Sequence, residues 1–139
     1  MIETTSSRPL PELRNFGAEF WRAAARGVLA VPKCTHCGET FWHPRPHCPH
    51  CGSAAIQWVA TSGEGVVHTF TIVRQSDDPF FKTRVPYVVA MVVLDEGIRL
   101  MSNVVGVDVN AVRISMRVSA IFEPAVDGLA IPLFKASAS

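Results

Sequence analysis

The chain has 139 residues, of which 48% are hydrophobic and 18% are charged, so a folded protein of one or two small modules is expected. Its 13 basic and 12 acidic residues give a formal net charge of +1, which argues against a general attraction to nucleic acid. The N-terminal segment has no apolar run of signal-peptide length, and no later segment approaches the roughly 18 apolar residues of a membrane span, so we expect a cytoplasmic protein.

The N-terminal part is predicted to form a tail and one helix. Residues 1 to about 8 are polar and rich in Ser and Thr, as in frayed tails. A helix is predicted from Leu10 to Arg26, because Pro11 suits a first helical turn and Gly27 suits a stop. Its apolar face is expected to pack on the rest of the protein: Leu13, Phe16, Phe20 and Ala24, with Trp21 beside them. Three arginines on the opposite face are either solvated or in contact with a phosphate-bearing ligand or an acidic partner: Arg14, Arg22 and Arg26.

The next segment, KCTHCGETFWHPRPHCPHC, contains all four cysteines and predicts a zinc ribbon. Two C-x-x-C pairs are separated by ten residues, and each pair is followed by glycine. Two intervening residues let both sulfurs of a pair face one ion, and the glycine tolerates the backbone angles of that turn. One structural Zn²⁺ per chain is therefore expected, with four thiolate ligands and no open position for chemistry: Cys34, Cys37, Cys48 and Cys51.

The histidines of this segment are surplus ligands in that interpretation, since four thiolates complete a tetrahedral shell: His36, His43, His47 and His50. The alternatives are redox-active cysteine pairs, a catalytic site that uses His47 or His43, and a ribbon that no longer holds metal.

Five strands are predicted after Gly63, in β-branched and aromatic segments bounded by turn signals: 66–75, 87–95, 98–105, 116–124 and 129–135. Asp95-Glu96-Gly97 indicates a tight hairpin, and a longer break precedes the fourth strand. This order favours a small closed barrel of the OB type over an open sheet or another five-stranded barrel. The predicted fold is thus mainly β, with the tail and helix in residues 1–28, the ribbon in 29–60 and the barrel in 61–139.

The second predicted strand, YVVAMVVLD, is apolar on both of its alternating faces, although a barrel strand buries only one of them in its own core. Whichever face points inward, an apolar strip is left outside. Either the N-terminal helix or a partner protein is expected to cover it. With Val88, Ala90, Val92 and Leu94 inside, the predicted partner interface is Val89, Met91 and Val93, together with Met101 of the next strand.

The loop SDDPFFKTRVPY is the one place where aromatic and basic residues alternate. A phosphate-bearing ligand would use this cluster, for which we predict Arg74, Phe80, Phe81, Lys82 and Arg84. The alternative is that the two phenylalanines close the mouth of the barrel. Binding of single-stranded nucleic acid would need similar residues, but the near-neutral charge disfavours it. No catalytic residue is predicted, since no nucleophile with a base is evident and His68 is the one histidine outside the ribbon region.

The motifs FW-x-A, C-x-x-CG, CPHCG, GEGVVHTFT, PYVVAMVVLDEG and RLMSNVVG follow one another along the chain. Together they resemble the acyl-CoA-associated family that joins a rubredoxin-like zinc ribbon to an OB-fold. The similarity runs from about Phe16 to Phe134, and Ser115 stands where glycine is expected. The resemblance implies a non-catalytic accessory subunit of a thiolase-like enzyme or thiolase-fold aldolase, which assists the binding or channelling of an acyl-CoA. Through this resemblance, acyl-CoA becomes the candidate ligand of the SDDPFFKTRVPY cluster, bound directly by this chain. The partner, the acyl chain and the stoichiometry are left open.

Overall fold

The computed structural model describes residues 8–137, which form a short helix, a two-stranded sheet and a five-stranded barrel. Helix α1 spans Ala18–Ala25, after a 3-10 turn at Asn15–Gly17. The sheet pairs β1 (Ala30–Cys34) with β2 (Ile56–Ala60). The barrel strands are β3 (Glu64–Val73), β4 (Tyr87–Leu94), β5 (Arg99–Val105), β6 (Arg117–Pro124) and β7 (Ala130–Ala136), and helix α2 (Pro79–Lys82) connects β3 to β4. Within residues 8–137 no helix is long and apolar enough to cross a membrane.

Helix α1 is shorter than the sequence predicts. The prediction began at Leu10, whereas residues 8–14 have no regular secondary structure and the α-helix begins at Ala18. Leu13 and Phe16 were predicted to be packed, but both are exposed, Phe16 to 54%. Gly17 stands inside the predicted helix, where glycine is a poor helix former, and the α-helix begins directly after it. Ahead of this point, Arg8 binds Glu123 on β6. The predicted tail lies outside the described residues, except for Arg8.

The C-terminal half of the predicted helix is confirmed. Phe20 and Ala24 are buried, and Trp21 packs edge-on against Phe20 with ring centroids 4.9 Å apart. The helix ends where predicted, because Gly27 has φ +79° and its N–H donates to the carbonyl oxygen of Ala24. Helix α1 packs mainly against β7 and β1.

The five barrel strands close in the order β3-β4-β5-β7-β6, with β6 pairing back to β3, which confirms the OB-type barrel. All neighbours are antiparallel except β5 and β7, which run parallel. The barrel interior is apolar and is built from alternate strand residues, among them Val67, Val88, Val92, Val118 and Phe134. Gly65 allows β3 to cross β4 closely, since a Cβ at this position would collide with the carbonyl oxygen of Val93.

Two connections of the barrel depend on left-handed backbone angles. In the β4–β5 hairpin, Gly97 has φ +95° and the N–H of Leu94 donates to Ile98 at 2.8 Å, which confirms the predicted turn. Before β6, Ser115 has φ +72°, an angle that favours glycine. Its N–H donates to the carbonyl oxygen of Val67 at 2.8 Å, so the turn is fixed against β3 despite the side chain.

Candidate functional site

The four cysteines converge at one end of the two-stranded sheet. Cys34 ends β1 and Cys48 lies in the following loop, and both are buried, whereas Cys37 and Cys51 lie at the exposed tips of the two turns. All four sulfurs lie within 4.8 Å of one another. The Sγ atoms of Cys34 and Cys51 are 3.6 Å apart, and those of Cys37 and Cys48 are 3.7 Å apart. Tetrahedral zinc with Zn–S bonds of about 2.3 Å places its sulfurs about 3.8 Å apart, so the set fits one such ion.

The two C-x-x-C turns have the same backbone conformation. Gly38 and Gly52 have φ of +82° and +81°, and their N–H groups donate to the carbonyl oxygens of Cys34 and Cys48 at 2.8 and 2.9 Å. Backbone N–H groups also reach the sulfurs, from Cys37 to Cys34 at 3.4 Å and from His50 to Cys48 at 3.3 Å. Such donors stabilise thiolate charge, and they orient the sulfurs before a metal binds.

The thiols differ in acidity, because backbone N–H groups, desolvation and the neighbouring sulfurs act on them unequally. The N–H of Cys37 lowers the pKa of Cys34 to about 6, which favours a thiolate at neutral pH. The N–H of Glu39 lowers the pKa of Cys37, but burial and the neighbouring cysteine sulfurs outweigh it and raise that pKa to about 12. One sulfur therefore ionises readily, and a divalent cation would supply the positive charge that four adjacent thiolates need. The four cysteines thus form a candidate metal site.

The histidines of the segment stand apart from this cluster. The metal-ligand group found within residues 8–137 consists of the four cysteines alone. The four histidines of the same segment are exposed: His36, His43, His47 and His50.

The predicted acyl-CoA cluster is only partly assembled. Phe80 and Arg84 line a cavity of about 270 Å³, whereas Arg74, Phe81 and Lys82 are not among its lining residues. Helix α2 positions the cluster, because the Asp78 carboxylate caps it by accepting from the N–H groups of Phe80 and Phe81 at 2.9 and 3.2 Å. Ligand binding by these residues stays a prediction.

Arg8 and Glu123 also line this cavity, and neither was predicted from the sequence. The Glu123 carboxylate accepts from Arg8 at 2.6 Å and from Arg84 at 3.0 Å. Burial raises the pKa of Glu123, but these two hydrogen bonds outweigh burial and hold that pKa below its usual range. Both arginines are therefore already paired with an anion that belongs to the protein.

The outer surface of the barrel presents the predicted apolar strip. On β4 the residues Val88, Ala90, Val92 and Leu94 are buried and the alternate ones are half-buried, so the strip has the phase assumed in the prediction. We use the name outer strip for Val89, Met91, Val93 and Met101. Met91 pairs with Met101 across β4 and β5, and Met101 is 68% exposed. A shallow depression of about 240 Å³ lies between these methionines and Phe70 of β3.

Two family models divide most of the chain between them. Residues 21–57 match the model described as ChsH2, rubredoxin-like zinc ribbon domain, and residues 58–123 match ChsH2, C-terminal OB-fold domain. A DUF35 domain-containing scaffold protein of Methanothermobacter thermautotrophicus is 35% identical over 104 residues, which cover 73% of this chain and 77% of that protein. The chain belongs to the ChsH2-type DUF35 family.

Further relatives of this DUF35 chain differ in length. A solved chain of the Ltp2-ChsH2(DUF35) aldolase superimposes with a TM-score of 0.85 at 32% identity, over 93% of this chain and 100% of that chain. A probable enoyl-CoA hydratase alpha subunit of Thermomonospora curvata is 34% identical over 128 residues, which are 92% of this chain. The chain spans only 40% of the length of that hydratase subunit.

Proposed function

We propose that this chain is a non-catalytic accessory subunit that binds a thiolase-fold enzyme and assists its handling of an acyl-CoA ester. The observation that carries the proposal is the similarity to the chain of the Ltp2-ChsH2(DUF35) aldolase, which extends over that whole chain. The archaeal relative named a scaffold protein supports a role without chemistry of its own. The hydratase relative is more than twice as long as this chain, so its activity is not transferred to this chain.

We infer that the partner docks on the outer strip. Helix α1 was the competing cover for this strip, but it packs mainly against β7 and β1 on other parts of the fold. The outward apolar residues of β4 are half-buried, and Met101 beside them is largely exposed. Apolar surface of this kind is typical of protein contacts, and methionine side chains adapt their shape to a partner.

We also infer that the metal is zinc, one ion per chain, held by the four cysteines in a closed shell. Bound there, zinc would supply a cross-link between β1 and the two turns and no open coordination position. A location in the reducing cytoplasm, which we propose as well, would keep these cysteines available for a metal.

The proposal is tested by co-expressing the chain with the thiolase-fold enzyme that is encoded nearest to it. The two proteins are expected to co-elute, and the turnover of the enzyme with its acyl-CoA substrate is expected to differ with and without this chain. The purified chain by itself is expected to give no turnover. Separate elution together with unchanged enzyme turnover would contradict the proposal.

A further inference from the structure

A second cleft lies between the N-terminal helix and the ribbon, away from the outer strip. Its volume is about 350 Å³, and its walls include Phe16, Arg22, Pro44, Arg45 and Trp58. Ligand pockets typically begin at about 300 Å³, so this space accepts a group of nucleoside size.

The walls of the cleft suit a flat, apolar group. Trp58 projects from β2 and is half-buried, Pro44 is half-buried on the loop between the cysteine pairs, and Phe16 is largely exposed. An indole face that is partly open to solvent stacks well with an aromatic base, and the proline rings of the lining add rigid apolar contacts. The apolar part of the lining would lose its contact with water when such a ring enters.

The charges of the cleft favour an anion. Glu19 is the one acidic side chain in the lining, and it is already paired with Arg26 at 3.4 Å. Arg22 and Arg45 also line the cleft, and neither forms an ion pair within residues 8–137. Two guanidinium groups thus remain available, and guanidinium is the side-chain group that best matches the geometry of a phosphate.

The cavity at Arg84 differs from this cleft in the ion pairs of its arginines. There, two arginines share the carboxylate of Glu123, so a phosphate would have to displace an anion of the protein itself. In the cleft at Trp58 the acidic lining residue Glu19 pairs with Arg26, and neither Arg22 nor Arg45 shares a carboxylate within the described residues. The cleft is therefore the better phosphate site, although the sequence directed attention to the loop that contains Arg84.

We propose that this cleft binds a phosphorylated purine nucleoside, with the base against Trp58 and Pro44 and the phosphates on Arg22 and Arg45. The nucleotide end of coenzyme A belongs to this class, and that particular choice rests on the proposed function. The chain would hold the nucleotide end while the partner enzyme acts on the acyl end.

The test is a calorimetric titration of the full chain with adenosine 3′,5′-bisphosphate and with coenzyme A. Both are expected to bind saturably at one site, and adenosine without phosphates is expected to bind at least about tenfold more weakly. The double variant Arg22→Ala/Arg45→Ala is expected to lose at least about tenfold in affinity, since it removes both charge-assisted contacts. The matched control is Arg14→Ala, which removes the same kind of charge outside the cleft and is expected to bind normally.

Two outcomes would overturn this proposal. One is the absence of saturable binding of either ligand up to about 1 mM, the weak end of specific affinity. The other is an equal loss of affinity in Arg14→Ala and in the double variant. If the double variant instead loses the thiolase-fold partner while neither ligand binds the wild type, the cleft is a protein contact and only this proposal fails. If the ligands bind as expected and no partner co-elutes, the cleft stands and the accessory role fails.

Discussion

Arg8 and Glu123 are 115 residues apart in the chain and form an ion pair of 2.6 Å at one end of the barrel. Arg84 approaches the same carboxylate at 3.0 Å. Both guanidinium groups lie over the ring of Phe80, at 4.9 and 4.5 Å from its centroid. The segment before helix α1 is thus joined to β6 and to the turn that follows α2 by a single carboxylate.

Replacing Glu123 by glutamine is expected to lower the free energy of unfolding by about 1 kcal/mol, because the amide keeps the size but loses two charge-assisted contacts. Urea denaturation measures this loss, and hydrogen exchange of residues 9–14 is expected to become faster. The control is Glu12→Gln, whose ion pair with Arg14 is exposed on both sides and is expected to contribute little. Equal losses in the two variants would contradict a special role for Glu123.

The contribution of the Glu123 carboxylate to stability is expected to depend on pH. Partial burial raises the pKa of Glu123, but the hydrogen bonds from Arg8 and Arg84 hold it below its ordinary value of 4.5. A depressed carboxyl pKa stabilises the fold above the unfolded-state pKa, and this contribution is lost as the pH falls through the folded-state pKa. An NMR titration is expected to give a pKa below 4.5 in the wild type and a higher one in Arg8→Ala. An unchanged pKa in the variant would show that Arg8 does not hold the carboxylate.

Ser115 offers a stabilising substitution. Its φ of +72° costs an L-residue about 1–2 kcal/mol, and glycine avoids this cost while adding chain entropy in the unfolded state. Ser115→Gly is therefore expected to raise the free energy of unfolding by up to about 1 kcal/mol. Gly106 has the same φ of +72° and open space around its Cα, so Gly106→Ser is the reverse experiment and is expected to destabilise. Changes of the same sign in the two variants would refute this interpretation of the backbone angle.

Replacing a cysteine ligand is expected to lower the zinc content and the stability of the protein together. The wild type is expected to contain about one equivalent of zinc after purification without chelators. Cys48→Ser is expected to reduce the zinc content and to lower stability by several kcal/mol, because the metal replaces a hydrophobic core in the ribbon. His47→Ala is the control and is expected to keep its zinc, as measured by elemental analysis. Loss of zinc from His47→Ala would show that the ligand set is wrong.

The sequence predicted those parts of the fold that have a local signal. The ribbon turns were predictable because a glycine after each C-x-x-C pair reports a left-handed angle, which Gly38 and Gly52 indeed adopt. The strands followed from β-branched segments, and β3 begins at Glu64, two residues before its predicted start. Helix α2 also had a local signal that was not used, since Asp78 before Pro79 is typical of a capped helix start.

Other features depend on the assembled structure. The contact of Arg8 with Glu123 joins residues far apart in the chain and has no periodic signal in the sequence. The phase of β4 was open because both of its faces are apolar, and only the closed barrel determines that Val88 points inward. The cleft at Trp58 joins residues from the helix, the ribbon loop and β2, so the arginines of the helix could not be assigned a role from their spacing.

The most direct test of the accessory role is the affinity of the thiolase-fold partner for three forms of this chain. Met101 and Ile114 are similarly exposed, at 68% and 62%, but only Met101 belongs to the outer strip. The wild type and Ile114→Asp are expected to bind the partner equally well. Met101→Asp is expected to bind at least about tenfold more weakly, because it places an unpaired charge in an apolar contact. Equal binding by all three forms would contradict docking on the outer strip, and no binding by the wild type would contradict the accessory role itself.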